Sequence, residues 1–260
     1  MSKSKWSLEG KRAVITGGTK GIGRATAEEF LDLGAEVLVV ARSERDVSEA
    51  TEEWTRNGKG AAYGVAADVT TEEGRDAVFE RVKKLWASFD ALVNNAGTNI
   101  RKPSIDYDRE EYDAIVELNQ RATYEMCKRS YPYLEKSGES AVVNVTSVGG
   151  LTHVGTGAPY AMSKAAIEQM TRNLAVEWAS DGIRVNAVSP WYIDTPLTHE
   201  KLSNPDYLDA VLKRTPMKRV GEPKEVAAAI AFFVMNASSY VTGRGLSVDG
   251  GFMAYGFSSP

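Results

Sequence analysis

Short apolar runs recur along this chain, separated by longer stretches in which apolar and polar residues mix. Arg12-Ala13-Val14-Ile15-Thr16 is the first such run. Val37-Leu38-Val39-Val40, Ala91-Leu92-Val93, Val142-Val143-Asn144-Val145 and Arg184-Val185-Asn186-Ala187-Val188 follow. They are too short for helices and rich in β-branched residues, as expected of buried strands. The intervening segments, such as 24–31, 71–87 and 112–136, carry the longer mixed pattern of helices packed on one side. Alternation from end to end predicts βαβ units and an α/β fold, a parallel sheet covered on both faces. No repeat or low-complexity linker divides the 260 residues, so a single domain over 1–260 is expected. Residues 191–221 break the alternation with Pro196, Pro205 and Pro216. They follow a strand, at the edge where open α/β sheets bind ligands.

Two places carry candidate chemistry. The first apolar run leads into Gly17-Gly18-Thr19-Lys20-Gly21-Ile22-Gly23 and then into a helix-like segment. Strand, glycine-rich turn and helix make a cradle for a pyrophosphate: glycine lets the backbone approach, and free N–H groups at the helix start attract negative charge. The glycines follow T-G-x-x-x-G-x-G, through Thr16, Gly17, Gly21 and Gly23, rather than G-x-G-x-x-G. A tight turn with no ligand is the competing reading, and the strand–helix context favours the nucleotide. The second place is Ala158-Pro159-Tyr160-Ala161-Met162-Ser163-Lys164, which reads as a helix start. Residues at i and i+4 share a helical face, so Lys164 sits near the Tyr160 phenol. A nearby cation favours the ionised phenol and brings its proton transfer toward neutral pH.

In this combination the chain resembles the short-chain dehydrogenase/reductase family. Gly17 to Gly23 is similar to that family's cofactor turn, and Asn94-Asn95-Ala96-Gly97 to its second signature. Asn119 stands at the place of its helical catalytic asparagine, and Ser147 lies thirteen residues before Tyr160, the family spacing. The resemblance runs almost to the C-terminus, ending in Val248-Asp249-Gly250-Gly251. Glu177-Trp178-Ala179 and Asn186-Ala187-Val188-Ser189-Pro190-Trp191-Tyr192-Ile193 are most similar to tropinone reductases and their homologues. The fold it implies is the Rossmann-type doubly wound sheet.

The resemblance also implies a nicotinamide cofactor, held at Gly17, Thr19, Lys20, Gly21, Ile22 and Gly23. Asp68 and Val69 would hold the adenine, and Asn95, Ala96 and Gly97 would line the ribose. Pro190, Ile193 and Thr195 would border the nicotinamide. The end of the second strand discriminates the cofactors, because a carboxylate there binds the ribose 2′-OH of NAD and an arginine a 2′-phosphate. Here Ala41 takes the carboxylate's place and Arg42 follows it. With Lys20 as a second cation, NADP(H) is the reading. Arg42 paired with Glu44, and Lys20 merely solvated, are the bland alternatives. A helix-start role competes with the adenine role for Asp68. The family's common Pro-Gly pair reads Pro190-Trp191, so the indole either narrows the substrate space or packs under the loop.

The implied reaction is reduction of a ketone or aldehyde to an alcohol by hydride transfer. Ser147 would steady the carbonyl oxygen and Tyr160 protonate it. Lys164 would lower the tyrosine pKa and bind the ribose, while Asn119 would hold a water behind the lysine. Capping by Ser147, a polar kink at Asn119 and a half-buried Tyr160 are the ordinary readings of the same residues. Around the expected site, His153, Val154, Trp191, Tyr192 and Leu197 suit an apolar, ring-sized ketone. Glu200 and Tyr192 are candidates to face an amine's cation. A 3-oxoacyl-carrier-protein reductase is the enzyme alternative, needing a basic surface for which Arg101, Lys102 and Arg129 are scattered candidates. A non-catalytic NADPH sensor or scaffold is the alternative from another class.

The rest of the composition removes possibilities. A net charge of −4 and the lack of a Lys/Arg run argue against a nucleic-acid partner. No apolar stretch has the roughly 18 residues of a membrane span, and Met1 to Trp6 lack a signal-peptide core, so a cytoplasmic protein without a membrane partner is expected. Cys127 is the single cysteine, which precludes an internal disulfide and reads as a small core residue. With only His153 and His199 as histidines, no metal site is expected. A homotetramer or homodimer, with helices 112–136 and 158–179 at one interface, is the family's habit.

Overall fold

The apolar runs form strands of one seven-stranded, all-parallel sheet in the order β3-β2-β1-β4-β5-β6-β7. A computed structural model describes residues 4–256. Met1, Ser2 and Lys3, part of the N-terminal stretch considered above, and residues 257–260 lie outside the described residues. The strands are β1 (Arg12–Thr16), β2 (Glu36–Ala41), β3 (Ala62–Ala66), β4 (Ala91–Asn94), β5 (Ser140–Val145), β6 (Ile183–Pro190) and β7 (Gly245–Val248). The helices are α1 (Gly21–Asp32), α2 (Glu44–Arg56), α3 (Glu72–Leu85), α4 (Arg109–Val116), α5 (Ala122–Ser137), α6 (Ala158–Glu177), α7 (His199–Leu202), α8 (Pro205–Arg214) and α9 (Pro223–Val234).

Period-two alternation divides the core. Ala13, Ile15, Val37, Val39, Val93 and Val143 point to one face, where Phe30 of α1, Trp54 of α2 and Ile230 and Phe233 of α9 cover them. Val14, Leu38, Leu92, Val142 and Val185 point to the other, under Val78 and Phe79 of α3 and Met126 and Leu134 of α5. Both faces are buried, which is why the strands read as continuous apolar runs. Cys127 belongs to the second core; burial pushes its thiol up to about 12. The expected helix 112–136 is one rod in three parts, because a π-helical segment, Glu117–Arg121, joins α4 to α5.

The chain reverses between β1 and β4, and the loops there open at the carboxyl ends of the strands. Residues 191–221 form an excursion from the end of β6 that carries α7 and α8 and returns through a parallel bridge between Ile193 and Gly221.

Candidate active site

The glycine turn lies at this reversal. Gly17 has φ +64° and Gly21 φ +53°, a region that L side chains avoid. Gly23 is required for a different reason: a Cβ there would overlap Gly17 O and Asn95 Nδ2. Asn95 ties the turn to β4, since its Nδ2 donates to Thr16 O and Gly17 O at 3.1 Å each. Thr16 Oγ1 returns the link by accepting from the Asn95 and Ala96 N–H groups at 3.0 and 3.1 Å. Thr19 is buried within the turn. Lys20 is the residue before α1 and its side chain gives no capping hydrogen bond. The first N–H groups of α1 therefore face the turn without a side-chain partner, an arrangement that fits a phosphate-bearing cofactor.

The two cations expected near a 2′-phosphate differ. Lys20 Nζ sits 2.5 Å from Asp46 Oδ2 and holds that carboxyl below its ordinary range. Lys20 is therefore paired with α2 in the free protein rather than merely solvated. Arg42 is exposed, without an ion pair to Glu44 or to any other described residue. Asp68 Oδ1 accepts from Thr70 N and Thr70 Oγ1 at 2.9 and 2.7 Å, so it shapes the turn ahead of α3, whose N-cap is Thr71. Val69 packs in the second core.

Ser147, Tyr160 and Lys164 converge at the ends of β5 and α6. Pro159 in the first turn of α6 fits a helix start, where its missing N–H is not needed. Ser147 Oγ accepts from Gly149 N at 3.0 Å, so it does cap the turn as well as face the phenol. Burial pushes the Tyr160 phenol above its ordinary value, while the Ser147 hydroxyl and the Arg101 charge pull it back. Lys164 stands one helical turn further along α6. Its Nζ lies 5.8 Å from the Tyr160 ring centroid and donates to Val145 O at 2.9 Å. Burial of Lys164 lowers its own pKa to about 8.

Asn119 is fully buried in the π segment. Its Oδ1 accepts from Thr98 N at 2.8 Å, and its Nδ2 donates to Thr98 O at 3.0 Å and Ser163 Oγ at 3.1 Å. Thr123 Oγ1 donates to its carbonyl at 2.7 Å. A Cβ on Gly97 would stand 3.2 Å from Asn119 Oδ1 and 3.4 Å from Lys164 Nζ, so glycine there lets the two side chains flank the loop.

These groups border one cavity of about 300 Å³. Lys20, Gly21, Ile22, Asn95, Gly97, Ser147, Tyr160, Lys164, Pro190, Trp191, Tyr192, Ile193, Thr195 and Leu197 all line it. Gly17, Thr19, Gly23, Arg42, Asp68, Val69, Ala96 and Asn119 stand behind the wall or beyond it. His153 is a correction: it is exposed and lines a separate pocket with Met162, while Val154 lines the main cavity. Glu200 is exposed and faces no part of the cavity wall. Trp191 packs under the loop and also lines the cavity: its indole stacks on Phe252 with centroids 3.8 Å apart and donates to Thr215 Oγ1 at 3.0 Å. Tyr192 packs edge-on against it, hydrogen-bonds Tyr207, and has its phenol pKa raised by burial. Lys102 and Arg129 are paired with Glu111 and Asp76, which leaves no basic surface built from them.

Sequence reasoning passed over the supports. Glu168, buried on α6, accepts from Thr146 Oγ1 at 2.6 Å and Ser189 Oγ at 2.8 Å, bracing the strand ends below Ser147 and Pro190. The only signal was its place four residues after Lys164, on one helical face.

A short-chain dehydrogenase family model, described as enoyl-(acyl carrier protein) reductase, matches residues 17–253. A tropinone reductase homolog of Arabidopsis thaliana is 42% identical over 255 residues, covering 98% of this chain and 96% of that protein. A tropinone reductase homolog of Datura stramonium is 40% identical, covering 97% of this chain and 96% of that one. Among solved structures, a gluconate 5-dehydrogenase from Burkholderia cenocepacia in complex with NADP and tartrate superposes with a TM-score of 0.92. It is 29% identical and covers 97% of this chain and 98% of its own. On these matches and this site, the chain belongs to the short-chain dehydrogenase/reductase family.

Proposed function

We propose that this protein is an NADPH-dependent oxidoreductase that reduces a ketone or aldehyde to an alcohol, with Ser147, Tyr160, Lys164 and Asn119 as its site. The observation that carries the reading is the meeting of Ser147, Tyr160 and Lys164 on one cavity that opens beside the glycine turn. When bound, the nicotinamide supplies the hydride. Tyr160 would give its proton to the carbonyl oxygen as the carbonyl carbon accepts that hydride, which completes the alcohol. A phenol held protonated by burial is in the correct state for that donation. The Ser147 hydroxyl steadies the negative charge that grows on the same oxygen. Lys164 has two N–H bonds beyond the one to Val145 O, available to the ribose. Asn119 fixes Thr98 and the loop over the lysine.

For the cofactor, Ala41 leaves no carboxylate at the end of β2 and Arg42 stands unpaired beside it, which favours a 2′-phosphate. The NADP in the Burkholderia dehydrogenase points the same way. The tropinone and gluconate names of its relatives frame the substrate as a compact ketone or hydroxy acid. The apolar wall at Val154, Trp191, Tyr192 and Leu197 suits a ring-sized body. A homotetramer is the assembly we expect, because Tyr112, Tyr124, Met162 and Val176 leave apolar surface exposed on the helices at issue. Light scattering that returned the mass of a single chain would refute it.

The test is oxidation of NADPH, with NADH in parallel, against cyclic ketones, aldehydes, oxo acids and a 3-oxoacyl thioester. Tyr160→Phe should lower turnover on any accepted carbonyl about 10²- to 10⁴-fold with NADPH affinity nearly unchanged. Turnover that survives the substitution removes Tyr160 from the acid role. NADPH binding without any turnover leaves a sensor.

A further inference from the structure

One charged group in the cavity has no task in the reaction just described. Arg101 lies four residues beyond Gly97 on the loop after β4, and lines the same cavity as Ser147 and Tyr160. Three cations border that cavity, and two of them are engaged: Lys20 with Asp46 and Lys164 with Val145 O. Arg101 forms no ion pair and no hydrogen bond among the described residues, and its Nε is buried without a partner. A buried polar nitrogen left unsatisfied is costly, so this guanidinium gains from an anionic partner brought into the cavity. No Asp or Glu lines the cavity, so the wall itself holds no such partner. The Arg101 charge is felt by both phenols at the reacting end, Tyr160 and Tyr192, which places it in electrostatic reach of a carbonyl bound there. A planar guanidinium matches a carboxylate in two-point geometry.

We infer that the substrate is an oxo acid: its carbonyl meets Tyr160 and Ser147, its carboxylate pairs with Arg101, and its apolar body lies against Val154, Trp191, Tyr192 and Leu197. This rests on the reductase reading above. The carboxylate is a spectator, and the bonds made and broken are those already stated. An amine-bearing ketone is disfavoured by the same observation, since its ammonium would add positive charge to a wall without a carboxylate. Arg101 is thus a specificity residue.

The experiment compares 3- and 4-oxocyclohexanecarboxylate with their methyl esters and with a 4-dialkylamino cyclohexanone, under NADPH. The protein should prefer acid to matched ester by about 10- to 100-fold in kcat/KM, the worth of a charge-assisted pair. In Arg101→Leu that ratio should collapse toward one, with Arg101→Lys between. Esters or the amine reduced as well as the acids, or a ratio unmoved in Arg101→Leu, would overturn the assignment. Calorimetric titration of cyclohexanecarboxylate into the NADP⁺-loaded protein reads the same subsite without turnover. Binding that Arg101→Leu abolishes supports the subsite even if no carbonyl is reduced, which would then count against the reductase reading alone. No binding to the unaltered protein rejects the subsite.

Discussion

Lys164 shows how much one buried group can do. It is 5% exposed, has one hydrogen bond, and burial brings its pKa from 10.5 to about 8. With the folded value below the unfolded one, the folded state releases a proton that the unfolded chain still holds between those two pH values. Stability therefore rises with pH from about 8 to 10.5, and the gain is lost as pH falls back through 8. The full difference is about 3 kcal/mol at 1.36 kcal/mol per pH unit. Urea unfolding of the unaltered protein against Lys164→Met should show this slope between pH 8 and 10 in the former and its loss in the latter. Equal slopes would mean that the amine is not desolvated. Tyr160 has the opposite sign, since its raised value makes stability fall only above pH 10, outside that window. The same raised value keeps the acid form present through neutrality, so the reductive rate should hold there while alcohol oxidation gains as pH rises. At Arg42 the expectation concerns charge alone. Arg42→Asp should raise KM for NADPH far more than KM for NADH, and equal effects on both would end the phosphate role.

At the scale of the element, the turn between β1 and α1 is a backbone object. Its shape depends on positive φ at Gly17 and Gly21 and on the absent Cβ at Gly23. Gly23→Ala forces a methyl against Gly17 O and Asn95 Nδ2, and should destabilise the fold by about 1–3 kcal/mol while weakening cofactor binding. Thermal unfolding and a fluorescence titration with NADPH would read the two effects; an unchanged affinity would separate the turn from the cofactor. The π segment at Glu117–Arg121 is the second such object. By adding a residue to the turn it swings Asn119 to the Thr98 backbone, and π segments of this kind are common at functional sites. Helical periodicity places a helix over 112–136 but does not register a one-residue bulge, because the apolar pattern continues on either side. The Tyr160–Lys164 pair was legible for the converse reason: i to i+4 spacing on a regular helix defines a shared face.

Across the whole molecule, the sheet order brings residues 17–23, 94–101, 145–160 and 190–198 to one edge. The C-terminal segment supports the site from outside the cavity, where Phe252 stacks on Trp191. Phe252→Ala removes that support, and should cost about 3–5 kcal/mol as a buried aromatic truncation and raise KM for the carbonyl more than it lowers kcat. A change confined to stability would show that the indole needs no such prop.

Five of the seven strands, the parallel sheet with helices on both faces, the glycine turn and the Tyr160–Lys164 pair were readable in the one-dimensional pattern, because each depends on local spacing or on composition within a few residues. The partly exposed β3 and β7 lack a continuous apolar run, and Ser147 and Asn119 were singled out by family resemblance alone. The pairing of Lys20 with Asp46, the outward turn of His153, the packing of Trp191 on Phe252, and the unpartnered Arg101 in the cavity wall were not readable. They join residues separated by tens of positions or hinge on which of two neighbours faces inward, and spacing along the chain carries no information about either. Burial, which sets the directions of the Tyr160 and Lys164 pKa values, is likewise a property of the assembled layers and of no single segment.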